Sequence, residues 1–522
     1  MARRCEALAV WSPASEHRPA SGRTARCVLM PRAVIAISPR ALAIGAGAIG
    51  ALALAAWSAS VATVLVIVWA LLVVALSALR VRAAWSARAA ARRGDALHDP
   101  PRGRDPEPFV SIHVPCCDEP PEIVAATLDA LARLDWPAFE VIVLDNNTPD
   151  PATWRPLERH CERLGSRFRF HHVAALPGAK AAALNLCLAM SDPRTELVLT
   201  VDADYRVRPD ALRRMHPLLG HRTSHVQAPQ AYEDDGAVGL ARAYASYFER
   251  YASAAGSGGM LLTGTLSLIR VEALRGVGGW CSATITEDAD LGLRLLAAGW
   301  RGAYLPRVVG RGFMPDRLTE LRKQRRRWVH GNAQVLFGSL RRVARLPRRL
   351  RATVAAQLTA WFQPWALPVL GFALFLGDAH RGARLVLAVS LLLYVAHELV
   401  LFIATPRRLL TARPLEGLGA HLALGWEGAV AWLEALAGVR LGFQRTSKRA
   451  GRGRGSSLAR AGAALAAVGL AGFHGAGGEP LVAAACLFLA GLPLASHHLA
   501  LALERGPGVP ALGTDRPVVE RT

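Results

Sequence analysis

Leu197-Val-Leu-Thr-Val-Asp202-Ala-Asp204 runs a row of apolar and β-branched residues into two carboxylates. Three runs of the same kind precede it, at 110–114, 140–144 and 168–173. Short β-branched runs read as strands. The stretches between them, 121–134, 151–164 and 179–190, have the length and pattern of helices. Alternation at this spacing predicts a mostly parallel sheet with helices on both faces. Such sheets bind ligands beyond the carboxyl ends of their strands, so the residues that follow each strand carry the functional information. The first strand leads into Cys116, Cys117, Asp118 and Glu119, the second into Asp145, Asn146, Asn147 and Thr148, the fourth into Asp202 and Asp204. An isolated D-x-D is most often a solvated turn. Three acidic clusters at one edge of one sheet suit Mg²⁺ or Mn²⁺, hard ions that take oxygen ligands and bridge diphosphates.

Two downstream elements add chemistry. Thr286, Glu287 and Asp288 follow the glycine-rich turn 276–280 and precede the helical run 291–296. Thr286 and Glu287 are placed to start that helix, with Thr286 as its N-cap. That would fix Asp288 at a helix start, a suitable seat for a general base. Further on stand Gln324, Arg325, Arg326, Arg327 and Trp328. A membrane-adjacent basic run accounts for the arginines but not for the tryptophan. An indole face stacks on a sugar ring, and guanidinium forks match diphosphates.

The chain has 522 residues, 52% of them hydrophobic, and a net charge of +22. Its apolar residues gather before Arg80 and after Arg351, and its charge clusters beside them, as membrane topology requires. No zinc-finger spacing or RNA-binding aromatic motif appears, which argues against a nucleic-acid partner. The cysteines form no framework and suit a reducing cytosol. Residues 1–40 read as a basic disordered tail, with Met30 as an alternative start. Residues 41–80 are expected to form a transmembrane hairpin broken near 58–60, and 81–108 a linker. The central domain occupies 109–345. Two transmembrane helices follow in 346–405 (runs at 354–376 and 385–404). A second hairpin lies in 458–503 (runs at 459–475 and 480–501), before a tail at 504–522, giving about six spans. Within 406–457, the stretch 415–440 is interrupted by Glu416, His421, Glu427 and Glu434, and basic residues follow it. It reads as an interfacial helix on the cytosolic side. Gln357, Gln363, His397 and Glu398 are candidates for a polar surface within the spans.

Taken together, the motifs resemble the processive family-two glycosyltransferases, the cellulose, chitin and hyaluronan synthase group. The family's D, D-x-D, T-E-D and Q-x-x-R-W elements match Asp145, Asp202 with Asp204, Thr286 to Asp288, and Gln324, Arg327 and Trp328, in the same order. Its K-A-G-A-L-N matches Lys180 to Asn185 with alanine at 182. Gly264 and Thr265 match its acceptor-side loop. Phe443, Thr446 and Lys448 look like its gating segment, with Arg445 in place of valine. The first-strand loop departs from the family's Tyr-Asn-Glu. The resemblance covers about 109–450.

It implies a GT-A-like α/β domain between membrane helices at a bacterial inner membrane, with the catalytic domain in the cytosol. It also implies inverting transfer from a nucleotide-diphosphate sugar to a glycan or lipid acceptor. By this resemblance Glu119, Asp145, Lys180, Asp202, Gln324, Arg327 and Lys448 bind the nucleotide sugar, and Asp202 and Asp204 the metal. Asp288, with Thr286 and Glu287, serves catalysis, and Trp328, Gly264 and Thr265 meet the acceptor. The stretch from Asp145 to Lys180 looks most like bacterial β-glucan synthases, which implies UDP-glucose as donor. Competing readings are a glycolipid synthase and an inactive transferase domain in a transporter or receptor. Of 62 basic residues only Lys180, Lys323 and Lys448 are lysine, and all three lie in or beside the motifs. A compact ammonium where a guanidinium would not fit explains that retention.

Overall fold

The computed structural model describes residues 58–92, 107–232, 259–305, 307–313, 318–359, 380–403, 424–439 and parts of 468–498. The expected gating segment, with Phe443, Thr446 and Lys448, lies outside the described residues, as do Gln363 and the two terminal tails.

The four strands read from apolar runs are present as β1 (Phe109–Cys116), β2 (Phe139–Asn146), β3 (Phe168–Val173) and β4 (Thr195–Thr200). The helices between them are α2 (Pro121–Ala132), α3 (Pro151–Leu164) and α4 (Ala179–Met190). β1 pairs in parallel with β2 on one side and β4 on the other, and β2 pairs in parallel with β3. The chain therefore builds outward to β3, then returns through α4 to the far side of β1. That reversal opens a crevice at the carboxyl ends of β1 and β4, where residues 116–119 and 202–204 stand.

The sheet continues through strands that the sequence did not announce. These are β6 (Thr223–Gln227), β8 (Ser267–Arg270) and β9 (Arg301–Tyr304), in the overall order β3-β2-β1-β4-β8-β6-β9. β8 runs antiparallel to both β4 and β6. A small sheet of β5 (Tyr205–Val207), β10 (Gly310–Gly312) and β7 (Ala231–Tyr232) follows directly from the D-x-D. The main core packs β1, β2 and β4 against α2 through Val110, Ile112, Val143, Leu199, Val124 and Leu128, all fully buried.

The short α5 (Ala211–Met215) precedes β6, and beyond β8 the chain forms α6 (Val271–Gly276), α7 (Glu287–Ala297), α8 (Leu318–Gly338), α9 (Leu340–Arg345) and α10 (Arg348–Leu358). α10 packs on the domain: Leu346, Leu350, Val354 and Leu358 form one core with Leu261, Ala289, Leu293, Leu296 and Val335. Leu346, Leu350, Val354 and Leu358, beyond the expected boundary at 345, thus share a core with the domain. Gln357, expected to offer polar surface within a span, instead ties α10 to the domain. Its Oε1 accepts from Leu261 N at 2.9 Å and its Nε2 donates to Gly259 O at 2.8 Å.

Among the described residues no helix is long and apolar enough to cross a membrane, so the six expected spans are not borne out. Several of the runs lie outside the described residues. Two helices come nearest, α1 (Ala59–Arg92) and α11 (Arg381–Ile403). They pack together through Ala62, Val66, Ala70 and Val73 against Ala383, Leu387, Ala388 and Leu391. The side chains of His397 and Glu398 lie outside the described part of α11. The helix expected in 415–440 is present as α12 (Gly425–Leu436). It docks on α8, with Glu427 paired to Arg322 (3.1 Å), Glu434 paired to Arg326, and Trp432 edge-on to Phe337.

Candidate active site

The carboxyl edge of the sheet is built under strain. Four described residues other than glycine have left-handed backbone: Asp118 (φ 51°), Asn147 (φ 57°), Ala179 (φ 50°) and Leu266 (φ 51°). Each adjoins a residue expected in the site: Glu119, the Asp145 turn, Lys180 and Thr265. Such conformations cost about 1–3 kcal/mol each and persist where the surrounding structure fixes them.

The D-x-D turn is held from both sides. Asp202 N donates to Thr265 Oγ1 (3.0 Å), and Thr127 Oγ1 donates to the carbonyl of Ala203 (2.9 Å). Tyr205, just beyond, is buried against Gly312. Thr265, expected on the acceptor side, is itself fully buried, and its hydroxyl holds the D-x-D turn. Its loop is braced by Gln227 at the end of β6. Gln227 Nε2 donates to Thr265 O (2.8 Å), and its Oε1 accepts from Thr263 N (3.0 Å) and Ser267 Oγ (2.6 Å). The sequence reading missed Gln227, because its strand, Thr-Ser-His-Val-Gln, carries no apolar pattern to mark it.

Lys180 enters from the first turn of α4. Its Nζ donates to Asp202 Oδ1 (2.5 Å) and Gly264 O (3.1 Å). Burial alone would depress this ammonium, but the carboxylates of Asp202, Glu287 and Asp288 together outweigh it and hold the pKa above its ordinary value. Asn185, from the same helix, fixes the glycine-rich turn: its Oδ1 accepts from Trp280 N (2.9 Å) and its Nδ2 donates to Trp280 O (2.8 Å). Lys323 has a plainer task than the motif argument implied. It is exposed on α8 and pairs with Glu320 one turn earlier (2.7 Å).

Thr286 stands at the start of α7, yet its side chain makes no capping bond. Its methyl and hydroxyl instead press on α8, where a β-carbon at Gly331 would come within 2.5 Å of Thr286 Cγ2. Asp288 Oδ1 accepts from the backbone N–H of Ala289 (2.8 Å). Its other oxygen faces Gly264, where an added β-carbon would lie 3.0 Å from Asp288 Oδ2 and 3.5 Å from Lys180 Nζ. Burial, then the neighbouring Glu287 carboxylate, push the Asp288 pKa up to about 7. Burial also raises Glu287, with Lys180 opposing.

The four basic-run residues before Trp328 divide by direction. Arg325 is fully buried and Arg326 turns to Glu434 on α12. Only Arg327 meets the site. Burial lowers its pKa against the opposing pull of Glu287, Asp202 and Asp288. Gln324 lies one turn before Trp328, and its Oε1 is buried with no hydrogen-bond partner among the described residues. Trp328 and Asp288 line one open cavity, together with the polar residues Gln230, Thr263, Thr286 and Asn332 and the apolar Leu261, Leu262 and Leu358.

The second strand's cluster is equally ordered. Asp145 is 1% exposed and accepts from Thr148 Oγ1 (2.7 Å) and His172 Nδ1 (2.8 Å). Burial raises its pKa and these two bonds partly offset that. Glu119 stands half-buried at the end of β1.

Among the described residues no group of three His, Cys, Asp or Glu could hold a metal ion. Asp202 and Asp204 therefore do not make an all-protein cage. Two carboxylates beside an open crevice do fit a Mg²⁺ or Mn²⁺ site completed by a substrate diphosphate and water.

Residues 106–331 match the family described as "Glycosyltransferase like family 2". Glucomannan 4-beta-mannosyltransferase 7 of Arabidopsis thaliana is 28% identical over 243 residues, 44% of this chain and 43% of that protein. Glucomannan 4-beta-mannosyltransferase 1 of Oryza sativa is 30% identical over 261 residues, 47% of this chain and 50% of that protein. The chain thus spans about half the length of the curated relatives it matches. Among solved structures, mannosyltransferase PcManGT from Pyrobaculum calidifontis, in complex with GDP-Man and Mn²⁺, aligns at 20% identity and a TM-score of 0.46, over 71% of this chain and 97% of that one. The family match therefore falls on the residues that carry the sheet, the D-x-D and the first part of α8.

Proposed function

We propose that the chain transfers a hexose from a nucleoside-diphosphate donor, with inversion, to a growing β-linked polysaccharide. The observation that carries this reading is the meeting of Asp288 and Lys180 at Gly264, with Asp288 also lining the cavity that holds Trp328. Asp288 takes the proton of the acceptor hydroxyl, and that oxygen attacks the donor's anomeric carbon opposite the diphosphate. Arg327 and Lys180 oppose the charge that develops on the leaving group. A divalent cation held by Asp202 and Asp204 would supply further neutralisation there. Trp328 offers an apolar floor for the acceptor ring.

The β-glucan resemblance favours UDP-glucose, whereas the relatives are named as glucomannan mannosyltransferases, which brings GDP-mannose in as an equal candidate. Purified protein in detergent, given each labelled nucleotide sugar with Mg²⁺ or Mn²⁺, distinguishes them by product linkage analysis. Failure to transfer from any nucleotide hexose rejects the reading. Asp204→Ala is expected to abolish the cation's enhancement of donor affinity, about tenfold or more. Equal nucleotide affinity with and without cation in the parent protein would remove the metal role.

The reading places the protein in a bacterial inner membrane as a multi-pass protein with its catalytic domain in the cytosol, extruding its product. Support comes from α1 and α11, which pack against each other and still leave large apolar residues exposed: Val64, Ile67, Val68, Leu71 and Val74 on α1, and Leu385, Val386, Val389 and Leu393 on α11. A lipid phase would cover such faces. A polymerase must retain its product between additions, so Trp328→Ala is expected to shorten the chains before it abolishes donor hydrolysis. Chloroform-soluble products bearing one or two sugars would replace this reading with the glycolipid one.

A further inference from the structure

We propose that His172 is a positioning residue for donor binding: clamped beneath Trp154, it fixes the Asp145 carboxylate in the orientation that meets the nucleotide. The proposal rests on the reading that Asp145 contacts the donor nucleotide.

The geometry begins with register. His172 on β3 lies directly across from Asp145 on β2 in the parallel ladder. Its Nδ1 is 2.8 Å from Asp145 Oδ2, and an ionised carboxylate only accepts, so Nδ1 carries the proton. The other oxygen, Oδ1, is held by Thr148 Oγ1 at 2.7 Å. Thr148 Oγ1 accepts in turn from the backbone N–H of Asp118 at 2.7 Å. One chain of bonds thus joins the ends of β1, β2 and β3 through a single carboxylate. The imidazole cannot swing away from it on the helix side. Trp154 of α3 stacks on His172 with ring centroids 4.3 Å apart and planes 12° from parallel. The same indole lies over Phe170, two residues earlier on the same face of β3 (6.3 Å, 13°).

With both oxygens bonded from fixed directions, the lone pairs that remain are the ones that can accept from a ligand. Loss of the His172 bond would free Oδ2 and let the carboxylate rotate about its side-chain torsions. Binding would weaken without any change in the groups that perform transfer. The expected signature is a raised donor KM at nearly constant kcat, since nucleotide contacts are the same in the ground and transition states.

Two substitutions separate the hydrogen bond from the ring. His172→Phe keeps the stack on Trp154 and removes the donor. His172→Asn removes the ring but places an amide N–H near the position of Nδ1. UDP and GDP would each be titrated calorimetrically against the full chain in detergent with Mn²⁺, alongside Asp145→Ala. For whichever nucleotide the parent protein binds, His172→Phe is expected to weaken affinity about tenfold, with kcat within about twofold. His172→Asn is expected to recover affinity to within about threefold. Parent-like binding by His172→Phe, while Asp145→Ala loses it, overturns the role of His172 and leaves that of Asp145 standing. Equal losses in the phenylalanine and asparagine variants, with lowered melting temperatures, assign His172 to packing and overturn the proposal. Parent-like binding by Asp145→Ala removes the underlying reading instead.

Discussion

Asp288→Asn is expected to lower the transfer rate by roughly 10²–10⁴-fold while nucleotide binding stays near that of the parent protein. Asparagine keeps the side-chain shape and can still present an oxygen to the Ala289 N–H that Asp288 Oδ1 now accepts at 2.8 Å. What it lacks is the ability to take a proton. The distinction is sharp because Lys180, Asp202 and Arg327, which the proposed function assigns to the donor, are untouched. Single-turnover transfer measured beside calorimetric nucleotide binding gives the test; turnover within a few-fold of the parent would sink the assignment of the base.

The same residue sets a pH dependence. With its pKa pushed up to about 7, Asp288 is protonated in mildly acidic solution and cannot act as a base. The value of kcat/KM, which reports the free protein, is therefore expected to rise as pH increases through about 7 and then level. Stability runs the other way. The folded-state pKa lies above the ordinary 3.8, so the folded protein binds the extra proton and the gain is full below that ordinary value. It is lost as pH rises through about 7. Asp288→Asn removes a carboxylate that is costly to ionise, and its melting temperature at pH above 7 should match or exceed the parent's.

β1, β2 and β4 were legible because each is a compact, largely apolar run that leads into acids or amides. β6, β8 and β9 were not. Thr223–Gln227, Ser267–Arg270 and Arg301–Tyr304 are short, carry polar residues, and pair across long separations in sequence. No local period marks them, and burial decides their conformation. The site shows the same division. Asp145, Lys180, Asp202, Asp288, Arg327 and Trp328 announce themselves by type and position. Gln227, Thr148 and His172 do not, because their tasks are to hold other residues, and the partners they hold are set by register. Glu427 and Glu434 were read as interruptions of an apolar run, yet their meaning lies in Arg322 and Arg326 on α8. Gln357 misled in the opposite sense. A glutamine in an apolar stretch suggested a polar path, while its bonds to Leu261 and Gly259 make it a bracket between α10 and the domain.

Gly264→Ala is expected to reduce transfer about a hundredfold, on the scale of a misplaced catalytic group. Gly264 has φ 92°, where a side chain is strained, and its β-carbon would sit 3.0 Å from Asp288 Oδ2 and 3.5 Å from Lys180 Nζ. The protein has two ways to respond. If the backbone holds, the Asp288 carboxylate gives way by a few tenths of an ångström and leaves its line to the acceptor. If the backbone relaxes, the Gly264 carbonyl moves from Lys180 Nζ, which it now meets at 3.1 Å, and the ammonium loses one of the two contacts that aim it at the crevice. Both responses act on transfer. Strain by itself acts on stability, at about 1–3 kcal/mol. Gly299→Ala separates the two, because Gly299 has nearly the same backbone (φ 89°) with nothing within 4 Å of an added β-carbon. It is expected to lower the melting temperature as much as Gly264→Ala does while leaving transfer within about twofold of the parent. Equal activity losses in the two variants would show that backbone strain alone explains the effect, and the close approach of Gly264 to Asp288 would then have no catalytic meaning.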